Sequence, residues 1–402
     1  MKLIQDRLDV KNKTRSNLFN WRGQFTPQFV DYILETFTSK GDVVVDPFSG
    51  SGTVLLESAG MHLACYGFEV NPAAYAMSKF FSFCNLPPHE RTELSLSFQR
   101  KVDNMLNKYD GLPMFIPQHS FRESYTNLLN FSKELFSQPL TSSEKLLAIN
   151  TLFTAEDYRN GGIVSTISRA VRYILHCFTQ LPYTNEPIIA CLGDARLLHK
   201  HCPAAADVIL TSPPYINVFN YHQNHRAIIE SLGWNILDIA QTEIGSNRKN
   251  RGNRFKTVVQ YCLDMELTLR SFWQSLDHDG IVVMVIGRES NVRKTPFYNG
   301  EIVKDIAHSM CAFRDIQNYT RTFSNKFGVD IKEDIIVLRK SHTSPKPSVA
   351  RDVSLGHLES SLKVAPEEAK EGIWNAISFM DMIQPSPYLP ARRDYLHDKD
   401  TP

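Results

Sequence analysis

Gly41-Asp42-Val43-Val44-Val45-Asp46 runs directly into Pro47-Phe48-Ser49-Gly50-Ser51-Gly52-Thr53, and Val54 to Ala59 then opens a helix. Three consecutive valines read as a short buried strand. Strand, glycine turn and helix start is the arrangement that brings backbone N–H groups up to a ligand. Gly50 and Gly52 carry no Cβ and permit close approach. A glycine pair by itself is a weak signal. Here a second strand follows, Ala64-Cys65-Tyr66-Gly67-Phe68-Glu69, whose acidic end lies 23 residues beyond Asp46. That is near the ~20 expected of a ribose-gripping carboxylate. Glu69 can accept from both ribose hydroxyls; the plainer alternative is a solvated acid at a strand end. This unit predicts an α/β fold, a sheet with helices on both faces.

A second stretch carries the chemistry. Asp207-Val208-Ile209-Leu210 is an apolar strand entering Thr211-Ser212-Pro213-Pro214-Tyr215. Two prolines stop regular structure at the strand's carboxyl end, the edge where open α/β sheets hold ligands. Ser212 offers a hydroxyl acceptor and Pro213 a carbonyl acceptor, while Tyr215 offers an aromatic face. Together they suit an exocyclic amine on a nucleobase, whose lone pair is delocalised into the ring. Two acceptors on its hydrogens would localise that lone pair. Alone, the stretch is equally well a strand and a Pro-rich turn.

Around these units the chain reads as follows. Residues 1–20 are polar and read as a loose arm. Arg22-Gly23-Gln24-Phe25-Thr26-Pro27 leads into a helix with Thr26 as N-cap and Pro27 at its first position. From 83 to 186 the pattern is helical, over Leu94–Asn107, Tyr125–Phe136, Ser143–Phe153 and Ile163–Thr179; a plain βαβ unit needs only ~30 residues, so this is an insertion. Pro187 to Leu192 returns to strand and ends in Gly193-Asp194-Ala195-Arg196. Asp194 there could meet an adenine amino group or simply cap the next helix.

His222 and His225 suggest a metal, but no third ligand has suitable spacing, so none is expected. Asn247 to Lys256 holds Arg248, Lys249, Arg251, Arg254 and Lys256 with no acid, interleaved with Asn247, Asn250 and Asn253. The cations suit phosphates, and asparagine can pair with adenine edges. Helix Thr257–Leu276 and strands Gly280–Ile286, Phe313–Arg321 and Glu333–Leu338 restore the core rhythm. Past Arg339 a Ser- and Pro-bearing linker leads to one amphipathic helix, Pro366 to Ile383.

The 402 residues are 42% hydrophobic and 22% charged, enough for a folded core. Net charge is only +1, so any nucleic acid must be met by a local basic patch. Seven cysteines without Cys-x-x-Cys spacing fit a reducing cytosol and neither disulfide framework nor zinc knuckle. The charged start does not suit a secretory signal, and Ile281 to Ile286 is too short to span a bilayer. A cytoplasmic protein with no membrane partner is expected.

Asp46-Pro47-Phe48-Ser49-Gly50-Ser51-Gly52-Thr53, then Glu69, then Ser212-Pro213-Pro214-Tyr215 stand in an order that resembles the S-adenosylmethionine-dependent amino-methyltransferases of DNA, which methylate N4 of cytosine or N6 of adenine. The resemblance covers most of residues 21–339. It implies a Rossmann-like class I methyltransferase sheet, S-adenosyl-L-methionine as cofactor, double-stranded DNA as partner, and a cognate endonuclease in a restriction-modification system.

By the same resemblance, Phe25, Thr26, Asp46, Pro47, Phe48, Ser49, Gly50, Gly52 and Thr53 surround the methionyl part. Glu69 takes the ribose, Asp194 the adenine, and Ser212, Pro213, Pro214 and Tyr215 form the catalytic turn. Serine at the first position is similar to the cytosine-N4 members, whereas adenine-N6 members more often carry Asp or Asn. Gly193-Asp194-Ala195-Arg196 follows the helical insertion, which departs from compact members. The implied parts are an arm (1–20), a cofactor-binding part (21–82), an insertion suited to target recognition (83–186), a catalytic part with a basic loop at 246–256 (187–339), and a linker and tail (340–402). Rival readings are an adenine-N6 enzyme, an RNA amino-methyltransferase and a silent DNA-binding subunit. No Pro-Cys dipeptide supports cytosine-C5 chemistry.

Overall fold

The computed structural model describes residues 3–109, 121–158, 162–216, 221–246, 250–324 and 328–389. Among them one large sheet contains β1 (Val43–Asp46), β2 (Ala64–Glu69), β3 (Ile188–Leu192), β4 (Ala206–Thr211) and β5 (Leu276–Gly287), all parallel. A small antiparallel hairpin, β6 (Glu289–Val292) and β7 (Thr295–Tyr298), follows β5. β8 (Phe313–Ser324) and β9 (Asp330–Lys340) return to the large sheet, with β9 antiparallel to both β5 and β8. The strand order is β3-β2-β1-β4-β5-β9-β8. From β1 the chain builds outward one way and from β4 the other. The crevice between their carboxyl ends is therefore the topological switch point.

Alternation of side chains explains why both faces are covered. Val44, Cys65, Val208, Leu210, Val283 and Val285 enter one core. Their neighbours Val45, Tyr66, Ile209, Val282, Met284 and Ile286 enter the other. A strand buried on both sides needs apolar residues at successive positions, and each full burial contributes about 1.5–3 kcal/mol. This is the expected Rossmann-like sheet with helices on both faces.

Between β2 and β3 lie helices Pro72–Lys79, Pro88–Leu106, Phe121–Ser137, Ser142–Asp157 and Ile163–Thr179. The last buries Ile167, Ala170, Val171, Ile174 and Phe178 along one stripe. Thr141 and Glu144 form a reciprocal capping box that starts Ser142–Asp157.

Two readings of the chain's ends are corrected. The N-terminal segment is not loose. Its helix Gln5–Asp9 buries Leu8, the Ile4 N–H donates to the Tyr32 hydroxyl (2.6 Å), and Thr322 N–H donates to Asp9 (2.8 Å). Beyond Arg339 the stretch read as a linker holds a helix, Ala350–Ser361, which buries Leu358 against the second core, while the expected tail helix is present as Glu367–Ser378 and buries Ile373 and Ala376 there. No helix among the described residues is long and apolar enough to cross a membrane.

Candidate active site

At the switch point, the Thr211 hydroxyl donates to Asp46 Oδ1 at 2.6 Å, tying the end of β4 to the end of β1. Phe48 N–H donates to the same carboxylate (3.2 Å). One strand over, Glu69 accepts from Gly50 N–H and Asn71 N–H, each at 2.9 Å. Asn71 caps the helix Pro72–Lys79 through its Oδ1, which accepts from Ala73 and Ala74 N–H. These contacts frame a cavity of about 570 Å³.

The cavity collects Phe25, Asp46, Pro47, Phe48, Ser49, Gly50, Thr53, Glu69 and Asp194, and with them the whole turn Ser212 to Tyr215. Two residues expected at the cofactor do not line it. Thr26 stands at the N-cap of Pro27–Phe37, where its carbonyl accepts from Phe29 and Val30. Gly52 faces away: its φ of +88° opens the next helix, and a Cβ there would lie 2.7 Å from the Phe81 ring and 2.8 Å from Ser78 Cα. Glycine is required at that turn for packing rather than for ligand approach.

Asp194 does cap a 3₁₀ turn, accepting from Arg196 N–H. Both its oxygens also lie in the Arg196 guanidinium fork (2.9 and 2.6 Å). Arg196 is fully buried and continues to Asp264 Oδ1 (2.8 Å) and to the carbonyls of Ser386 and Pro387 (2.6 and 2.8 Å). Ser386 in turn donates its N–H and its hydroxyl to Asp264. A strap from the C-terminal tail thus braces the wall that carries Asp194.

In the Ser-Pro-Pro-Tyr turn, the Ser212 and Tyr215 hydroxyls lie 3.4 Å apart. The Tyr215 ring rests on Gly287, at the end of β5, where a Cβ would come within 2.6 Å of it. Asn299, fully buried, fixes the same region: its amide donates to Gly287 O (2.8 Å) and its carbonyl accepts from Ile216 N–H (3.3 Å). Gly287→Ala is expected to leave the sheet folded and displace the ring. Far-ultraviolet circular dichroism like the parent's beside altered tyrosine fluorescence would check this.

Burial pushes the Asp46 and Glu69 carboxyls up to about 7. Such groups hold protons more tightly in the folded state than in the unfolded one. Their contribution to stability is therefore full in acid and is lost as pH climbs through the window ending near 7. Without cofactor, the protein should lose thermal stability across that window. Glu69→Gln, which cannot titrate, should lose part of the slope in melting curves at fixed ionic strength.

Several wall residues are not visible in the motifs. Trp21 stacks on Tyr221 with centroids 6.2 Å apart at 17°. Arg321 pairs with Glu333 (2.6 Å) and lies over the Phe29 ring at 4.2 Å. Glu243 accepts from the His222 ring (3.0 Å), and His225 pairs with Glu156 (2.5 Å). Each imidazole thus has its own carboxylate. Among the described residues no cluster of His, Cys, Asp or Glu has the makings of a metal site.

In the basic loop, Arg251 and Arg254 are exposed, while Lys256 is half-buried with its ammonium 4.9 Å from the Phe379 ring. Arg248 and Lys249 lie outside the described residues. Asn250 and Asn253 are not free to read bases, because they bond Gln260 (2.9 Å) and Gly372 O (2.7 Å).

Residues 4–80, which include the glycine turn and Glu69, match the DNA methylase family model of N6 and N4 amino-methyltransferases. Type II methyltransferase M.BsoBI of Geobacillus stearothermophilus is 21% identical over 307 residues, 62% of this chain and 59% of that protein. Type II methyltransferase M.MjaII of Methanocaldococcus jannaschii is 35% identical over 72 residues, 17% of this chain and 14% of that protein. Over these stretches the chain is similar to DNA amino-methyltransferases. It spans less than two thirds of the length of either relative. Solved structures that align with this chain include TrmN from Thermus thermophilus (TM-score 0.32, 14% identity, 80% of this chain and 50% of that one) and the rRNA methyltransferase AviRa from Streptomyces viridochromogenes (TM-score 0.33, 13% identity, 80% and 88%).

Proposed function

We propose that the protein methylates the exocyclic amine of a base in double-stranded DNA, drawing the methyl group from S-adenosyl-L-methionine, with N4 of cytosine as the target. One observation carries this reading: the Ser212–Tyr215 turn opens into the same cavity as Asp46 and Glu69. That cavity also fits the cofactor's chemistry. Glu69 is a carboxylate for ribose hydroxyls. The Asn71 side-chain nitrogen and the Ser49 hydroxyl are buried without partners at its edge, a donor and a hydroxyl that a polar ligand would satisfy. Asp46, Phe48, Ser49 and Gly50 would face the methionyl part, and Asp194 the adenine.

The bound cofactor supplies an already activated sulfonium methyl. What remains for the chain is positioning and the handling of the amine's hydrogens. Ser212 Oγ and the Pro213 carbonyl accept those hydrogens and concentrate the nitrogen lone pair. Burial raises the Tyr215 phenol above its ordinary value, so its hydroxyl stays protonated beside Ser212. A paired base cannot reach this depth, so the target is flipped out of the duplex, and aromatic rings of the wall stack on it. The serine at position 212 favours cytosine, and a restriction-modification role in a prokaryotic cytosol, with a cognate endonuclease, is consistent with that reading.

Digesting DNA from cells that express the protein and analysing its nucleosides is the test. N4-methylcytosine is expected. N6-methyladenine alone would move the target base and keep the class, and neither product would sink the reading. For the basic loop, Arg251→Ala with Arg254→Ala is expected to reduce the salt slope of duplex binding by ~1 per lost phosphate contact, with cofactor affinity unchanged. Binding isotherms at several salt concentrations would measure it.

A further inference from the structure

The hairpin β6–β7 turns through Arg293 and Lys294, the two residues between the paired Val292 and Thr295. Both have left-handed backbones, with φ of +49° and +63°. Two-residue hairpin loops with positive φ at both positions favour Asn-Gly or Asp-Gly, and other L residues sit there under strain. Two long cations hold this tip instead. Asn291 Oδ1 steadies the turn by accepting from Lys294 N–H (2.8 Å), and long cations kept in so strained a backbone point to a use for the side chains.

The surroundings say what that use is. The hairpin grows from the end of β5, and its base is tied to the catalytic edge. Asn299 bonds Ser290 (3.0 Å) and Gly287, and accepts from Ile216, next to Tyr215. Its inner side chains Val292, Thr295 and Phe297 are buried, and the Phe297 ring lies 6.2 Å from Phe255. The tip touches the basic loop, where Arg293 Nη2 donates to Gly252 O at 3.3 Å. Arg293 and Lys294 are exposed, as are Arg251 and Arg254. Lys294 also meets Glu368 at 3.6 Å, but both side chains are largely in solvent, and such a pair is easily exchanged for a phosphate.

We infer that the Arg293–Lys294 tip and the Arg251–Arg254 loop form one rigid cationic surface that holds the phosphate backbone of duplex DNA beside the cavity. The inference rests on the DNA reading given above. Strands of four residues carry the tip ~13 Å from the catalytic edge. DNA presents a charge every ~1.7 Å of axis, so a duplex with one base in the cavity brings flanking phosphates within reach of the tip.

The test replaces the tip with the residues its backbone prefers, Arg293→Asn with Lys294→Gly. This removes both charges while relieving strain, so the variant should melt no lower than the parent. Binding of a mixed-sequence duplex should weaken, and the log–log salt slope should fall by ~1.8, two phosphates at ~0.9 each. Cofactor affinity should be unchanged. Parent-like affinity and slope in the variant, beside salt-dependent binding by the parent, would overturn the hairpin's role and leave the DNA reading intact. A parent with no salt-dependent affinity for duplex would overturn both.

Discussion

Ser212→Ala should bind cofactor and DNA as the parent does and yet transfer methyl groups at least ~10²-fold more slowly, the lower end of what a positioned proton-handling group contributes. The hydroxyl is small and half-buried, and its recorded neighbour is the Tyr215 hydroxyl at 3.4 Å, so its removal disturbs little of the fold. On the proposed reading, what is lost is one of two acceptors for the amine. The remaining Pro213 carbonyl cannot alone hold both hydrogens. Single-turnover rates on DNA, measured beside equilibrium binding of each ligand, separate the outcomes. Equal losses of binding and turnover would mark the turn as structural.

Glu69→Ala is expected to have the largest effect on cofactor affinity. Charge-assisted bonds contribute about 1.5–3 kcal/mol, or roughly 10- to 150-fold in Kd. Here the effect is compounded. The same carboxylate accepts from Gly50 and Asn71 N–H, so its removal strands two backbone donors and loosens the glycine turn. Glu69→Gln keeps one acceptor oxygen and should fall between parent and alanine. Calorimetric titration with S-adenosylmethionine measures all three. Unchanged affinity in a folded alanine variant would rule out the ribose role.

Elements whose identity is local were readable in the sequence. β2 spans Ala64–Glu69 and the last insertion helix spans Ile163–Thr179, as their apolar patterns predict. The misread parts depend on distant partners. The helix Gln5–Asp9 is too short to show a stripe, and Asp9 is held by Thr322, 313 positions away. Ala350–Ser361 mixes Ser, Gly and His with its apolar residues and has weak contrast between faces. Arg321 and Glu333 meet only through the β8–β9 register, which one strand's sequence does not specify. Spacing placed the glycine turn and Glu69 in one unit, and in the fold Gly50 N–H donates to Glu69. It did not reveal that Gly52 serves Phe81.

The strap that reaches Arg196 has a consequence for the order in which the protein becomes competent. Arg196 and Asp264 are sealed from solvent, and the strap's Ser386 and Pro387 complete their bonding. During synthesis, these two residues emerge nearly two hundred positions after Arg196. Until then Arg196, beside Asp194, lacks two carbonyl partners, so this wall of the cavity is incomplete. Cofactor binding by ribosome-held chains stalled just before and well after Ser386 would expose the difference, and equal binding would refute it.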